Sequence, residues 1–160
     1  GAKLIVAGQN PLKKAGYPTT PPHVTEIGYV LGPERKKLLS RAKGVITASM
    51  FIEPFCGVHV EALLSGTPVI STDWGIFTET IINGINGFRC RTFEDFVVAA
   101  QKIDTISPKK CRESAMKFTL ENVAPQYEKF FTDVLNVYTG KGWYELNTTV
   151  PGATAQLSTN

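Results

Sequence analysis

Little in this sequence of 160 residues points to a membrane, secreted or metal-binding protein. No apolar run approaches the roughly 20 residues of a membrane-spanning helix, and the start has no charged segment followed by a long apolar core. The three cysteines, Cys56, Cys90 and Cys111, fit neither a disulfide framework nor a C-x2-C metal site. We therefore expect reduced thiols, a cytoplasmic location and no bound metal.

The sequence also has no large excess of either positive or negative charge. The 17 basic residues barely exceed the 14 acidic ones, and a net charge of +3 does not indicate a nucleic-acid partner. Neither a Walker A loop nor a G-x-G-x-x-G fingerprint occurs. With 42% hydrophobic residues, the composition excludes a disordered or fibrous chain and fits one globular domain.

The pattern that is present alternates short apolar runs with helical segments. Strands are predicted over residues 4–7, 23–27, 44–48, 68–71 and 87–90, and the first, third and fourth read as covered on both faces. Helices are predicted to begin near Pro33, at Phe55 or Cys56, after Thr92 and after Ser107, with a last amphipathic helix from Tyr127 to Tyr138.

This alternation predicts a Rossmann-like α/β domain, a doubly wound parallel sheet with helices on both faces. We expect the domain over residues 1–146, with a long loop at 9–22 and a flexible tail at 147–160. Ligands of such sheets bind where the strands end, so function should lie in the loops that follow them.

The most informative loop follows the third strand, where Glu53 and Glu61 flank a predicted helix start. The helix is apolar on nearly every side, which predicts that it is buried, together with Glu61. Its N-terminus offers amides to a phosphate, and Gly57 would let a ligand approach the backbone closely. Carboxylates suit sugar hydroxyls, because they only accept hydrogen bonds. The combination predicts a site for a nucleotide diphosphate sugar.

On the residues alone, a second interpretation stands beside this one. Glu53 would be a helix-capping acid, and Glu61 would pair with a lysine or arginine of the core. His59 falls within the buried helix pattern and is expected to pack there. For Trp74, Arg89 and Arg91, packing or solvated positions are favoured over ligand contacts.

A family resemblance follows from the run Glu53-Pro54-Phe55-Cys56-Gly57, continued by Glu61-Ala62-Leu63 and Gly66-Thr67-Pro68-Val69-Ile70. It resembles the signature EPFG…EALA.G.PVI of family 4 retaining glycosyltransferases, which have the GT-B fold. Segments 75–88, 27–30 and 38–48 resemble the family's other blocks in the same order, so the similarity covers about residues 3–103. Cys56 replaces the usual glycine, and Trp74-Gly75 replaces the paired glycine.

The resemblance implies a role for each matching position. Glu53 would be the catalytic residue that holds the donor sugar and favours charge developing near its anomeric carbon. Glu61 would hold the ribose. The backbone from Phe55 through Cys56 and Gly57 to Val58 would meet the sugar and diphosphate, Tyr29 and Val30 would lie against the base, and Gly75 and Glu79 would shape the loop that closes the site.

The resemblance also implies the partners. The donor would be a UDP-, GDP- or ADP-sugar, used without a metal, and a glycan, lipid or small-molecule acceptor would bind an N-terminal domain. That domain, with the first strand and helix of the donor domain, is missing from this sequence, so we expect the fragment to be inactive alone. Further expectations are a homodimer through the last helix and peripheral membrane association of the complete enzyme.

Two alternatives remain open from the sequence. One is a non-catalytic, flavodoxin-like module for nucleotide binding or regulation, although Gly8-Gln9-Asn10 stands where a receiver domain has clustered acids. The other keeps the GT-B fold but is a nucleotide-sugar epimerase. The donor sugar, the base and the acceptor are left undetermined.

Overall fold

The computed structural model describes residues 2–8, 16 and 20–139. It divides into two compact units, Gly1–Met116 and Lys117–Asn160, and each is described by itself. The predicted tail at 147–160 and most of the predicted loop at 9–22 lie outside the described residues.

The elements of the first unit alternate as predicted. The strands are β1 (Leu4–Ala7), β2 (Val24–Gly28), β3 (Val45–Thr47), β4 (Val69–Thr72) and β5 (Gly87–Cys90). The helices are α1 (Gly32–Arg41), α2 (Gly57–Leu64), α3 (Phe77–Thr80), α4 (Phe93–Lys102) and α5 (Pro108–Ala115), with a 3-10 turn at Ile103–Thr105. The short helix α3 has no counterpart in the sequence-based assignment.

Every strand pairing in the described residues is parallel. β1 pairs with β2, and β3, β4 and β5 form a second sheet in that order. Val45 stands opposite Val69, and Val69 stands opposite Gly87. All four residues of the central strand β4 are buried, in agreement with its continuous apolar run. Parallel sheets with helices on both faces confirm the predicted α/β class.

The prediction that β1 and β3 are covered on both faces is wrong for the described chain. Leu4, Ile5 and Ile46 expose 43%, 48% and 50% of their surface. Among the described residues β1 pairs only with β2, and β3 pairs only with β4, so each strand has one unpaired edge. The apolar sequence of both strands is typical of interior strands rather than of edges.

Helices α2 and α4 pack on the three-stranded sheet and hold its loops in place. α2 contacts β3, β4 and α5, whereas α4 contacts β4 and β5. The core beside α4 contains Ile70, Cys90, Ala99 and Ile103. Thr92 caps α4 as predicted: in a capping box, the Asp95 amide donates to Thr92 Oγ1 and the Thr92 amide donates to Asp95 Oδ2.

The second unit contains α6 (Leu120–Thr139), which begins earlier than the predicted Tyr127. Pro125 lies inside this helix, where its missing N–H removes one hydrogen bond of the ladder. The predicted apolar stripe is present, and Tyr127 and Phe131 stack with their ring centroids 6.2 Å apart. Dimerisation through this helix stays a prediction.

Candidate functional site

The loop between β3 and α2, residues 48–56, is anchored through its backbone. The Ser49 carbonyl accepts hydrogen bonds from Thr72 Oγ1 at 3.1 Å and from Trp74 Nε1 at 3.0 Å. The indole of Trp74 also donates to the Phe51 carbonyl at 3.0 Å. Trp74 therefore holds this loop in place through its indole N–H, in agreement with the structural role that the sequence favoured for it.

Glu53 is fixed by close packing of Gly75 against its backbone. Gly75 has φ of 59°, and a Cβ atom there would lie 2.6 Å from the Glu53 carbonyl oxygen and 2.7 Å from its nitrogen. Only glycine fits such an approach. The amide of Ile76 then donates to the Glu53 carbonyl at 2.9 Å. Gly75 thus acts on the position of Glu53 directly.

The carboxylate of Glu53 has one polar partner among the described residues, the Ser49 hydroxyl, which donates to Oε2 at 3.0 Å. Glu53 does not cap α2, because the N-cap residue of that helix is Cys56 and no side chain caps it. The interpretation of Glu53 as a capping acid is therefore wrong. Its carboxylate has lone pairs left for a ligand with hydroxyl donors.

Cys56 adopts the left-handed conformation, with φ of 58° and ψ of 74°. This is the only positive φ of a non-glycine residue in the described chain. For an L-residue this conformation costs on the order of 1–2 kcal/mol. The position that needs a glycine is therefore 56, and Gly57 does not replace it. At Gly57 a Cβ would meet nothing within 4 Å, so the surface there is open.

His59 packs under this turn, as predicted. Its side chain is fully buried, and Nδ1 lies 2.6 Å from the Cys56 carbonyl oxygen. A carbonyl oxygen only accepts, so Nδ1 is the donor and carries the hydrogen. The ring meets Phe55 and Phe77 edge-on, and Nε2 is buried with no partner in the described chain. Burial lowers the pKa of His59, so the ring is neutral near pH 7.

The thiols are not activated. Burial raises the pKa of Cys56, and the charge of Glu53 raises it further, against the lowering effect of a backbone hydrogen bond at His59. Burial raises the pKa of Cys90 and of Cys111 to about 11. All three cysteines are free, as predicted. A thiolate nucleophile at the start of α2 is therefore not supported.

Glu61 lies one turn into α2 and is paired with Arg35 of α1. Arg35 Nη2 donates to Glu61 Oε1 at 2.7 Å, and the two side chains are 41% and 40% exposed. The expected burial of Glu61 is wrong, because its face of α2 opens into a cavity of about 410 Å³. The predicted pairing with a basic residue is present, but it lies at the surface rather than in the core.

The cavity at Glu61 is bordered by three helices. Its lining includes Gly32, Arg35, Lys36, Leu39, Ser40, Glu61, Leu64, Ser65 and Arg112. Three of these residues are basic and one is acidic, so the lining has a net positive charge. Such a surface suits a ligand that combines negative charge with hydroxyl groups.

Tyr29 and Val30 directly follow β2 and precede α1. Tyr29 is 72% exposed, whereas Val30 is half-buried. Arg35 lies in the first turn of α1, so the Arg35–Glu61 ion pair ties the segment after Tyr29 and Val30 to helix α2. Glu79 is exposed on the short helix α3, three residues after Ile76, whose amide donates to the Glu53 carbonyl.

Two arginines at the end of β5 share the carboxylate of Asp73, which directly follows β4. Arg91 Nε donates to Asp73 Oδ2 at 2.7 Å, and Arg89 Nε lies 3.4 Å from Oδ1. Arg89 also donates to the Thr78 carbonyl at 3.1 Å. Both arginines thus have partners within the fold, and their charge is partly neutralised by Asp73.

Within residues 2–8 and 20–139, no group of three or more His, Cys, Asp or Glu side chains could hold a metal ion. The helices of those ranges are too short or too polar to span a membrane.

Sequence reasoning missed the residues that support the two glutamates. Arg35 and Glu61 are 26 residues apart, and Trp74 is 25 residues from Ser49. Pairs at such separations follow from packing of whole elements, and local periodicity does not reveal them. The Ser49–Glu53 bond spans only four residues and is the one signal that the local sequence offered.

Comparison with known proteins gives a coherent result. The model of the family "Glycosyl transferases group 1" matches residues 1–119. Spore coat protein SA of Bacillus subtilis is 29% identical over 119 residues, which are 72% of this chain and 32% of that protein. The uncharacterized glycosyltransferase MJ1607 of Methanocaldococcus jannaschii is 36% identical over 91 residues, which are 54% of this chain and 23% of that protein. The chain thus spans at most a third of either relative.

Solved structures share the fold at low identity. The match to AviGT4, a glycosyltransferase involved in avilamycin A biosynthesis, covers 83% of this chain and 43% of the AviGT4 chain, with a TM-score of 0.63 and 23% identity. The match to Anabaena Alr3699/HepE, solved in complex with UDP-glucose, covers 82% of this chain and 41% of the Alr3699/HepE chain, with a TM-score of 0.65 and 19% identity. These likenesses concern the fold.

The strained turn at Cys56 predicts a stabilising substitution. Cys56→Gly should raise the free energy of unfolding by about 1 kcal/mol, because glycine adopts positive φ at little cost. Urea denaturation measures this change. Cys56→Ala is the control, since it removes the thiol but keeps the strain, and it should give no gain. An equal gain from both variants would show that the thiol, and not the backbone, causes the effect.

The buried, neutral His59 predicts how stability depends on pH. Its pKa is lowered in the folded state, so the unfolded chain binds a proton more readily. The contribution of His59 to the free energy of unfolding is therefore fully present above the unfolded-state pKa of about 6.5. It is lost as the pH falls toward the folded-state pKa, by up to about 1.4 kcal/mol per pH unit.

Urea denaturation between pH 7.5 and 5 measures how the free energy of unfolding changes with pH in the wild type and in His59→Leu. The variant should lose the His59 contribution to the slope, whatever its absolute stability. His23→Gln is the matched control, because His23 is exposed and is the only other histidine. An unchanged slope in His59→Leu would contradict the assignment.

Proposed function

Because this chain belongs to the glycosyl transferases group 1 family, we propose that it forms the donor-binding part of a retaining glycosyltransferase. The enzyme would transfer a glycosyl group from a nucleotide diphosphate sugar to an acceptor, with the anomeric configuration kept. The observation that supports this most is the anchored loop of residues 48–56. It fixes the backbone of Glu53, whose carboxylate accepts a hydrogen bond from Ser49, four residues before α2 begins at Gly57.

The start of α2 would receive the diphosphate. Helix geometry leaves the amides of Gly57 and Val58 without acceptors inside the helix, and the positive end of the helix dipole lies there. The left-handed turn at Cys56 turns the chain into this helix, and the open space at Gly57 leaves room for phosphate oxygens against the backbone. Binding by amides requires no metal ion, in line with the donor binding that the family resemblance implies.

The two carboxylates would hold the two sugars of the donor. Glu61 would accept hydrogen bonds from the ribose hydroxyls, and Glu53 from the hydroxyls of the transferred sugar. A fixed carboxylate at Glu53 would also stabilise positive charge that develops near the anomeric carbon as the bond to the diphosphate breaks. In this proposal Glu53 is the catalytic residue.

The remaining predicted residues border this donor position. Tyr29 and Val30 would lie against the base, with Tyr29 exposed and able to stack on it. Gly75 holds the Glu53 backbone, and Glu79 lies on the segment that follows it. UDP-glucose is the first donor to test, because the structural relative Alr3699/HepE was solved with it.

We also propose that the active enzyme has parts beyond this sequence. Doubly wound sheets commonly have the strand order 3-2-1-4-5-6. The observed orders β2-β1 and β3-β4-β5 match that arrangement with its central strand left out. A parallel strand between β1 and β3 would cover Leu4, Ile5 and Ile46, and an acceptor-binding domain would complete the enzyme. Turnover by residues 1–160 alone would contradict this proposal.

Calorimetric titration with UDP, UDP-glucose, GDP- and ADP-sugars tests donor binding. Glu61→Gln should weaken UDP binding about tenfold, because the ribose loses a charged acceptor. Glu53→Gln should weaken UDP-glucose binding and leave UDP binding unchanged, since Glu53 would meet only the transferred sugar. Glu94→Gln, an exposed site on α4, is the charge-matched control.

The control should bind both ligands like the wild type. Circular dichroism of each variant shows that the chain is folded. Absence of binding for every nucleotide and nucleotide sugar by the folded wild type would remove the donor-site proposal.

A further inference from the structure

We propose that Arg35 is a positioning residue for the ribose of the donor nucleotide. It would act by holding the Glu61 carboxylate in one orientation. This inference rests on the proposed function, because it takes Glu61 as the ribose acceptor. It adds a residue on a different helix, and one that the local sequence pattern around Glu61 does not identify.

The geometry of the ion pair supports a positioning role. Arg35 Nη2 is 2.7 Å from Glu61 Oε1, a short charge-assisted hydrogen bond between side chains on α1 and α2. Oε2 of Glu61 has no hydrogen-bond partner in the described parts of the chain. A carboxylate can accept about four hydrogen bonds. After pairing with Arg35, Glu61 therefore still has lone pairs for two neighbouring hydroxyls.

The place of the pair in the fold supports the ribose rather than another group. Arg35 lies in the first turn of α1, just after the Tyr29–Val30 segment that we propose for the base. Glu61 lies one turn after Gly57, where we propose the diphosphate. The ribose of a nucleotide joins its base to its phosphates. The ion pair thus connects the two elements between which a ribose has to lie.

Partial exposure makes the position of Glu61 dependent on this partner. Both side chains are about two-fifths exposed, and a glutamate with that exposure has several rotamers available. The guanidinium selects one of them before the ligand arrives. Preorganisation of this kind raises affinity by reducing the ordering cost of binding. The opposite effect, in which Arg35 competes with the hydroxyls for Glu61, would lower affinity.

The test compares two ligands that differ only in the ribose, UDP and its 2′,3′-dideoxy analogue. Arg35→Ala should weaken UDP binding about tenfold and change binding of the dideoxy analogue less than about twofold, since the analogue has no hydroxyls for Glu61. Arg35→Lys should recover part of the loss. The double variant Arg35→Ala/Glu61→Gln should bind UDP no more weakly than Glu61→Gln alone.

Lys36→Ala is the matched control for charge. Lys36 is the neighbouring residue, lines the same cavity and forms no ion pair in the described chain. Loss of its charge should act equally on both ligands through long-range attraction to the diphosphate. The ratio of the two affinities should therefore stay at the wild-type value, whereas Arg35→Ala should reduce that ratio.

The outcomes separate this inference from the proposed function. If the wild type binds UDP and Glu61→Gln weakens it, but Arg35→Ala affects both ligands equally, the positioning role is wrong and the donor site stands. Tighter UDP binding by Arg35→Ala would also overturn the inference and show competition instead. If the folded wild type does not bind UDP or any other nucleotide, both proposals fail.

Discussion

The backbone contact between Gly75 and Glu53 is the constraint on which the site depends. A side chain at position 75 would overlap the Glu53 backbone, at 2.6 Å from its carbonyl oxygen. The left-handed φ at Gly75 and the hydrogen bond from Ile76 to Glu53 both belong to the same close approach. Together with the Trp74 indole, they attach the loop after β3 to the end of β4, the most buried strand of the sheet. A loop is usually the mobile part of a fold. Here it is fixed to the core at several backbone atoms.

The turn into α2 is also held by specific contacts, but its backbone is strained at Cys56. Cys56 occupies a conformation that glycine adopts more easily, and the His59 ring beneath it donates to the Cys56 carbonyl. Burial of His59 between Phe55 and Phe77 keeps that ring neutral. The hydrogen bond from His59, one turn into the helix, thus holds the strained turn in place. Strain of this kind often accompanies functional sites, since surrounding structure has to hold it in place.

The sequence predicted the elements well where one local signal decides them. The apolar run of β4, the helix start at Thr92 and the proline that starts α5 all lie where they were expected. Element order and parallel pairing follow from the alternation of strands and helices. The start of α6 was placed too late, because the apolar stripe that identifies the helix begins at Tyr127, whereas the helix itself begins at Leu120 and continues through Pro125.

The environment of each site residue was harder to predict. Glu61 was expected to be buried because its neighbours are apolar, but its own face of α2 opens toward α1. Its partner Arg35 comes from the packing of two helices, which no spacing rule describes. Position 56 was identified as a departure from the family pattern, whereas its backbone conformation required the structure. The exposed edges of β1 and β3 depend on strand order, and that too is a property of the whole sheet.

The central claim is that the loop after β3 and the start of α2 bind the donor, and NMR tests it most directly. In ¹⁵N-labelled protein titrated with UDP-glucose, the account predicts the largest amide shifts at Glu53, residues 55–58 and Glu61, with smaller ones at Tyr29 and Val30. Amides on α4 should stay unchanged. Saturable shifts confined to the Asp73, Arg89 and Arg91 cluster, or no shifts at all, would contradict the account.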